Sequence, residues 1–159
     1  MTSNDTPAAT PAATPADTGS ADLPETRQDR FDRGAAVFAA VNGVGGERAM
    51  ASLSDISPEL GHQIVAWAFG DMYARPQLPP RDRQLVILGI LTALGGCEPE
   101  LEVHVETALN VGLTPEEIVE ALLQSAVYAG MPRALNATFA AKRVFAKHDL
   151  LPVNQQPTE

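Results

Sequence analysis

The chain has 159 residues, 20 of them acidic and 11 basic, for a net charge of −9. The length fits one domain of about 100–150 residues with an extension, and the acidic balance argues against nucleic acid or an anionic membrane surface as the main partner. The single cysteine, Cys97, excludes an intrachain disulfide framework and any multi-thiolate metal site within one chain.

Residues 1–27 repeat Ala, Thr and Pro after the initiator, and the first large hydrophobe among them is Leu23. Such a stretch buries too little apolar surface to offset chain entropy and is expected to be a disordered tail. It has neither the basic start nor the apolar centre of a signal peptide, so a cytoplasmic location is expected. From residue 28 to about 150 the pattern is helical throughout, an all-α domain of six or seven helices, with a C-terminal tail over 151–159. The first helix carries Phe31, Ala35, Val37, Phe38 and Val41 at helical spacing and is expected to end at Asn42-Gly43. A Gly-rich loop and a short helix from Glu47 to Leu53 follow. Ser57-Pro58-Glu59 reads as an N-cap, a first-turn proline and a first-turn acid. The helix it opens has Leu60, Ile64, Trp67, Ala68 and Met72 as its expected buried stripe, and Arg75-Pro76 breaks it. Pro80 opens a helix to Leu94 that stops at Gly95-Gly96. Its run Leu85-Val86-Ile87-Leu88 with Ile90-Leu91 is apolar on every face, far too short for a membrane span, and points to a homo-oligomer interface. Pro99 starts the next helix, to Val111. Thr114-Pro-Glu-Glu117 is a capping box opening a helix to about Ala129, and Met131-Pro132 starts the last, to about Lys147.

Of the three histidines, His148 suits a helix C-terminus and His62 lies off the apolar stripe. His104 shares a face with Leu101 and Ala108 and points inward. It is either a satisfied core histidine or a general acid–base group. Arg81 and Arg83 sit in the first turn of the Pro80 helix, where the dipole disfavours cations. They either pair with acids such as Asp82 or, joined by Arg75, form a carboxylate site at the helix N-terminus. Cys97, at a helix entry, is either a small half-buried residue or a thiol of lowered pKa. No nucleophile elbow, P-loop, dinucleotide fingerprint or metalloprotease motif is present.

Arg75-Pro-Gln-Leu, Arg81-Asp-Arg-Gln-Leu-Val-Ile, Leu101-Glu-Val-His104, Ala108-Leu-Asn-Val-Gly, Thr114-Pro-Glu-Glu-Ile-Val-Glu and Ala126-Val-Tyr-Ala-Gly-Met-Pro, in this order, resemble the carboxymuconolactone decarboxylase family. Arg30-Phe-Asp-Arg-Gly and Phe69-Gly-Asp-Met-Tyr-Ala-Arg-Pro resemble its decarboxylase branch. The resemblance implies an alkylhydroperoxidase D-like all-α fold, assembly into trimers or hexamers, and a site that needs no cofactor or metal. It implies a carboxy-lyase of aromatic-compound breakdown, converting 4-carboxymuconolactone to the 3-oxoadipate enol-lactone. By residue, it implies His104 as proton donor or shuttle, Arg83 and Arg75 as carboxylate binders, and Trp67 and Tyr128 as pocket walls.

Two positions depart from the family pattern. The peroxidase branch has Cys-x-x-Cys, whereas here Cys97 is followed at the second position by Glu100, so its disulfide cycle is excluded. Many relatives carry a glutamate where this chain has Gln84, which exchanges no proton near neutral pH. Glu100, one helical turn from His104, is the expected substitute and is expected to raise the histidine's pKa. The alternatives kept beside the namesake reaction are an isomerase, cyclase or decarboxylase acting on another unsaturated or polyketide-like acid, and an idle binding or assembly protein.

Overall fold

The computed structural model describes residues 25–154; the expected N-terminal tail up to residue 24 and the end of the C-terminal one, 155–159, lie outside the described residues. Within them every regular element is a helix. None is long and apolar enough to cross a membrane.

Helix α1, Arg27–Ala51, opens with a capping box: Thr26 Oγ1 accepts from the Asp29 N–H, and the Asp29 carboxylate accepts from the Thr26 N–H. The break expected at Asn42-Gly43 is a kink and not a loop, because helical bonding resumes at once beyond Gly43 (φ 55°, ψ −154°). Glycine reaches that conformation without a Cβ penalty. Neighbours on helix α4, Glu98–Asn110, brace the bend. Thr107 donates to Asn42 Oδ1 at 3.0 Å, and Asn110 donates to the Asn42 carbonyl at 3.3 Å.

Helix α2, Pro58–Gln63, starts at the expected proline, although Ser57 makes no side-chain cap bond. It runs directly into a π-helical segment, Ile64–Tyr73, whose last bond joins the Ala74 N–H to the Phe69 carbonyl at 3.0 Å. The widened turn shifts the inward row. Val65, Ala66, Phe69 and Gly70 are buried, whereas Leu60, Trp67 and Met72 of the expected stripe are exposed. Glycines set this register, and hydrophobic periodicity does not weigh them. A Cβ on Gly34 of α1 would fall 2.0 Å from the Val65 carbonyl oxygen, and one on Gly70 would fall 2.9 Å from that of Arg30. The two backbones therefore touch. Arg30 and Arg33 pair with Asp71 across this contact, and Arg33 Nε also donates to the Gly70 carbonyl at 3.1 Å. The Arg30 hydrogen bond holds the Asp71 carboxyl below the usual carboxylate range. Phe38 meets Phe69 edge to face, with centroids 4.9 Å apart.

Four helices form the second and larger core: α3 (Pro80–Leu94), α4 (Glu98–Asn110), α5 (Pro115–Ala129) and α6 (Met131–Lys147). Leu88, Leu101, Val105, Ile118, Val144 and Phe145 interlock there, and Leu150 and Val153 pack against them. The Thr114 capping box is present as expected, with Oγ1 accepting from the Glu117 N–H at 3.2 Å. Helix α4 touches both α1 and the α3–α6 group. A site between the two cores is therefore built on α4.

Candidate active site

His104 and Gln84 meet where α4 crosses α3. His104 Nδ1 lies 3.1 Å from Gln84 Oε1, Gln84 Nε2 lies 2.8 Å from the Tyr73 hydroxyl, and that hydroxyl lies 3.2 Å from the Pro80 carbonyl oxygen. The direction of this chain follows from its end. A carbonyl only accepts, so Tyr73 donates to Pro80 and its lone pair accepts from the Gln84 amide. Gln84 therefore turns its carbonyl oxygen to the imidazole, and Nδ1 must carry a proton. Gln84 itself is fully buried, so both ends of its amide need these partners.

The other ring nitrogen, Nε2, has no bond within the described residues. No buried side-chain nitrogen or oxygen there lacks a partner, so Nε2 is not sealed in. It opens on a cavity of about 380 Å³ that His104 lines, within the usual 300–1,000 Å³ of small-molecule sites. Phe38, Asn42, Gly46 and Met50 of α1 supply one wall, and Ile64, Ala68, Phe69 and Tyr73 of the π segment another. Ile87 of α3 and Glu100, Val103 and His104 of α4 complete it. Burial pushes the His104 pKa below its ordinary value, and the Glu100 charge pulls the other way with less effect. The rise expected from Glu100 is thus outweighed by desolvation. Tyr73 is pushed up by burial, so its hydroxyl stays a donor across the working range.

Of the other residues singled out from the sequence, Glu100 shares the cavity with His104, and Gln84 stands directly behind the imidazole. The arginines do not line it. Arg83 Nε donates to the Leu78 carbonyl at 2.9 Å and its terminal nitrogen to the Arg75 carbonyl at 2.7 Å. It also lies over the Tyr73 ring, 5.5 Å from the centroid. It thus staples the loop after the π segment onto α3. Arg81 pairs with Glu117 and Asp82. The Arg75 side chain is exposed on the loop. Cys97 is half-buried at the start of α4, its thiol 3.4 Å from the Leu91 carbonyl in a separate crevice. Trp67 is 56% exposed on the far side of the π segment. Tyr128, 89% exposed, lines a shallow groove of about 550 Å³ between α3 and α5.

The sequence reading missed Tyr73 and the apolar walls. Its one usable signal for Tyr73 was a phenolic hydroxyl in an otherwise apolar stretch, which must find a partner when buried.

The profile of the carboxymuconolactone decarboxylase family matches residues 58–143, spanning the π segment, Gln84 and His104. The chain is 34% identical over 105 residues to a 4-carboxymuconolactone decarboxylase of Acinetobacter baylyi, covering 66% of this chain and 78% of that protein. It is 32% identical over 122 residues to a nitrosuccinic acid decarboxylase of Metarhizium robertsii, covering 75% and 83%. An uncharacterized 15.0 kDa protein of Paracoccus denitrificans is 30% identical over 101 residues, covering 63% and 75%. The match of the family profile, together with relatives covered over most of their length, establishes that this chain belongs to the carboxymuconolactone decarboxylase family.

Proposed function

We propose that this chain is a carboxy-lyase that removes carbon dioxide from a carboxylated unsaturated lactone or a closely related acid, with His104 as the proton donor. The observation that carries this reading is the hydrogen-bond chain from Pro80 through Tyr73 and Gln84, which fixes Nδ1 as a donor and leaves Nε2 to the cavity. The relatives support the reaction class, since two proteins named for decarboxylation of different acids both match.

In the proposed step the bond between the substrate carbon and its carboxylate breaks. Carbon dioxide leaves, and the electron pair delocalises into the adjoining unsaturated carbonyl. Imidazolium Nε2–H then gives its proton to carbon, and the ring returns to the neutral form with Nδ1–H still held by Gln84. Water entering past Glu100 reprotonates Nε2. Since burial lowers the His104 pKa, the donating form is favoured by acid, and kcat/KM falls as the pH rises through that pKa.

The exposed apolar rows support a further part of this reading, self-assembly. Helix α3 exposes Val86, Ile90 and Leu94, α5 exposes Leu123 and Val127, and α6 exposes Met131, Leu135 and Phe139. Each row has helical spacing, and contiguous apolar surface of this kind marks an interface. The proposed occupant is a second copy, in a trimer or hexamer.

The test is release of carbon dioxide from 4-carboxymuconolactone by the purified chain with His104→Ala beside it. The variant is expected to lose 10²-fold or more of the activity, the scale of a positioned general acid. Undiminished turnover in the variant would remove His104 from the mechanism.

A further inference from the structure

Resting on the decarboxylase reading above, we infer that the substrate of this chain brings one carboxylate, the departing one, into the cavity and presents an apolar body to the rest of it. Three observations carry this. First, among the described residues no lysine or arginine lines the cavity. Of the arginines nearest to it, Arg83 is held on the carbonyls of Leu78 and Arg75, Arg81 pairs with Glu117 and Asp82, and the Arg75 side chain is exposed on the loop outside the lining.

Second, the polar groups on the walls are almost all spent. The Asn42 side-chain oxygen Oδ1 accepts from Thr107 at 3.0 Å, and Nδ2 donates to the Phe38 carbonyl at 3.4 Å. The Tyr73 hydroxyl accepts from Gln84 and donates to Pro80. Three groups are left to meet a ligand, the second N–H of the Asn42 amide, His104 Nε2 and the Glu100 carboxylate, and only the imidazolium among them carries positive charge. Imidazolium can pair with one carboxylate. A second would lie unpaired among Phe38, Met50, Ile64, Phe69 and Val103, where an uncompensated charge is strongly disfavoured. It would also meet the negative charge of Glu100.

Third, those apolar side chains enclose about 380 Å³. This room is best filled by hydrocarbon, since burying apolar surface is what such walls reward. The preferred substrate class is therefore a monocarboxylic unsaturated lactone or β-carbonyl acid with an alkyl or aryl body, handled ahead of a dicarboxylate. Glu100 is the residue that selects against the second charge.

The test pairs 4-carboxymuconolactone with the analogue in which its non-departing carboxylate is replaced by an alkyl chain of similar length. Turnover is followed as carbon dioxide release, and binding is measured by calorimetry with the saturated, unreactive lactones of both. The alkyl compound is expected to bind and react at least tenfold better. Glu100→Gln is expected to narrow that gap by favouring the dicarboxylate. Ala68→Phe, or Val103→Phe from another wall, is expected to abolish alkyl binding while helix content by circular dichroism stays unchanged. Equal or better handling of the dicarboxylate would overturn the proposal and show that a cation reaches the cavity from elsewhere, with the decarboxylase reading intact. Binding of neither lactone, or alkyl binding indifferent to the filling variants, would overturn it as well. Tight alkyl binding without carbon dioxide release from either compound would sink the decarboxylase reading and leave the cavity preference standing.

Discussion

Gln84 holds its histidine by an amide, whose two ends are chemically different, and this asymmetry is what fixes the imidazole tautomer. Gln84→Ala would leave both His104 Nδ1 and the Tyr73 lone pair unpaired in the interior. The expected loss is about 1–3 kcal/mol of stability, read from the denaturant midpoint. Gln84→Glu tests the electrostatics. A carboxylate beside the ring favours imidazolium, so the His104 pKa rises and the alkaline limb of kcat/KM moves to higher pH. Glu100→Gln removes the charge that now raises that pKa and moves the limb to lower pH. If both limbs stay in place, His104 is not the titrating group. Position 104 was legible in the sequence because an imidazole on an apolar stripe is conspicuous. Its chain of partners was not, since Tyr73, Gln84 and His104 lie on three elements and only the way these cross brings them together. Of the arginines, Arg81 makes the pairing with Asp82 that was one of its two readings, whereas the partners of Arg83 were hidden for a related reason. Arg83 is satisfied by the main-chain carbonyls of Leu78 and Arg75, acceptors that every residue carries and that no side-chain pattern reveals.

Among the elements, α1 and the π segment meet backbone to backbone at Gly34 and Gly70, beside the side-chain cluster of Phe38 and Phe69. Gly34→Ala would drive a methyl to within 2.0 Å of the Val65 carbonyl oxygen, and main-chain atoms cannot swing away. Overpacking of this kind is expected to cost about 1–3 kcal/mol or more. Gly61→Ala in α2 is the control. Its nearest neighbour would be the Leu53 side chain at 3.9 Å, so alanine's better helix propensity should add about 0.5–1 kcal/mol, unopposed. Equal effects of the two changes on the unfolding midpoint would refute the close-contact account. Helix ends were largely readable because they are local: Pro80, Gly95, the Thr114 box and Gly130 each act within a turn of themselves. The buried face after Ser57 was not, because α-helical spacing was applied to a π turn, and its two closest contacts are made by glycines.

For the whole molecule, the outward apolar rows of α3, α5 and α6 set the assembly expected in solution. Light scattering is expected to give a mass several times 16.8 kDa, and Ile90→Glu with Val127→Glu is expected to lower it without loss of helix content. A monomer at micromolar concentration would defeat the expectation. The sequence makes helix α3 apolar on every face, and the structure leaves Val86, Ile90 and Leu94 of it exposed. The pattern did not say which side was already occupied by α5. The bend at Gly43 has a separate consequence. The proton-handling groups sit on α3, α4 and the end of the π segment, whereas Gly46 and Met50 reach the cavity from the part of α1 beyond the bend. Part of the cavity wall thus lies on a stretch of chain apart from the proposed proton donor, while Glu100 lies beside that donor on α4. Mutations around the bend can remould the range of acceptable substrates while the proton donor keeps its tautomer, so this architecture is free to acquire new specificities by drift at one site without reinventing its chemistry at the other.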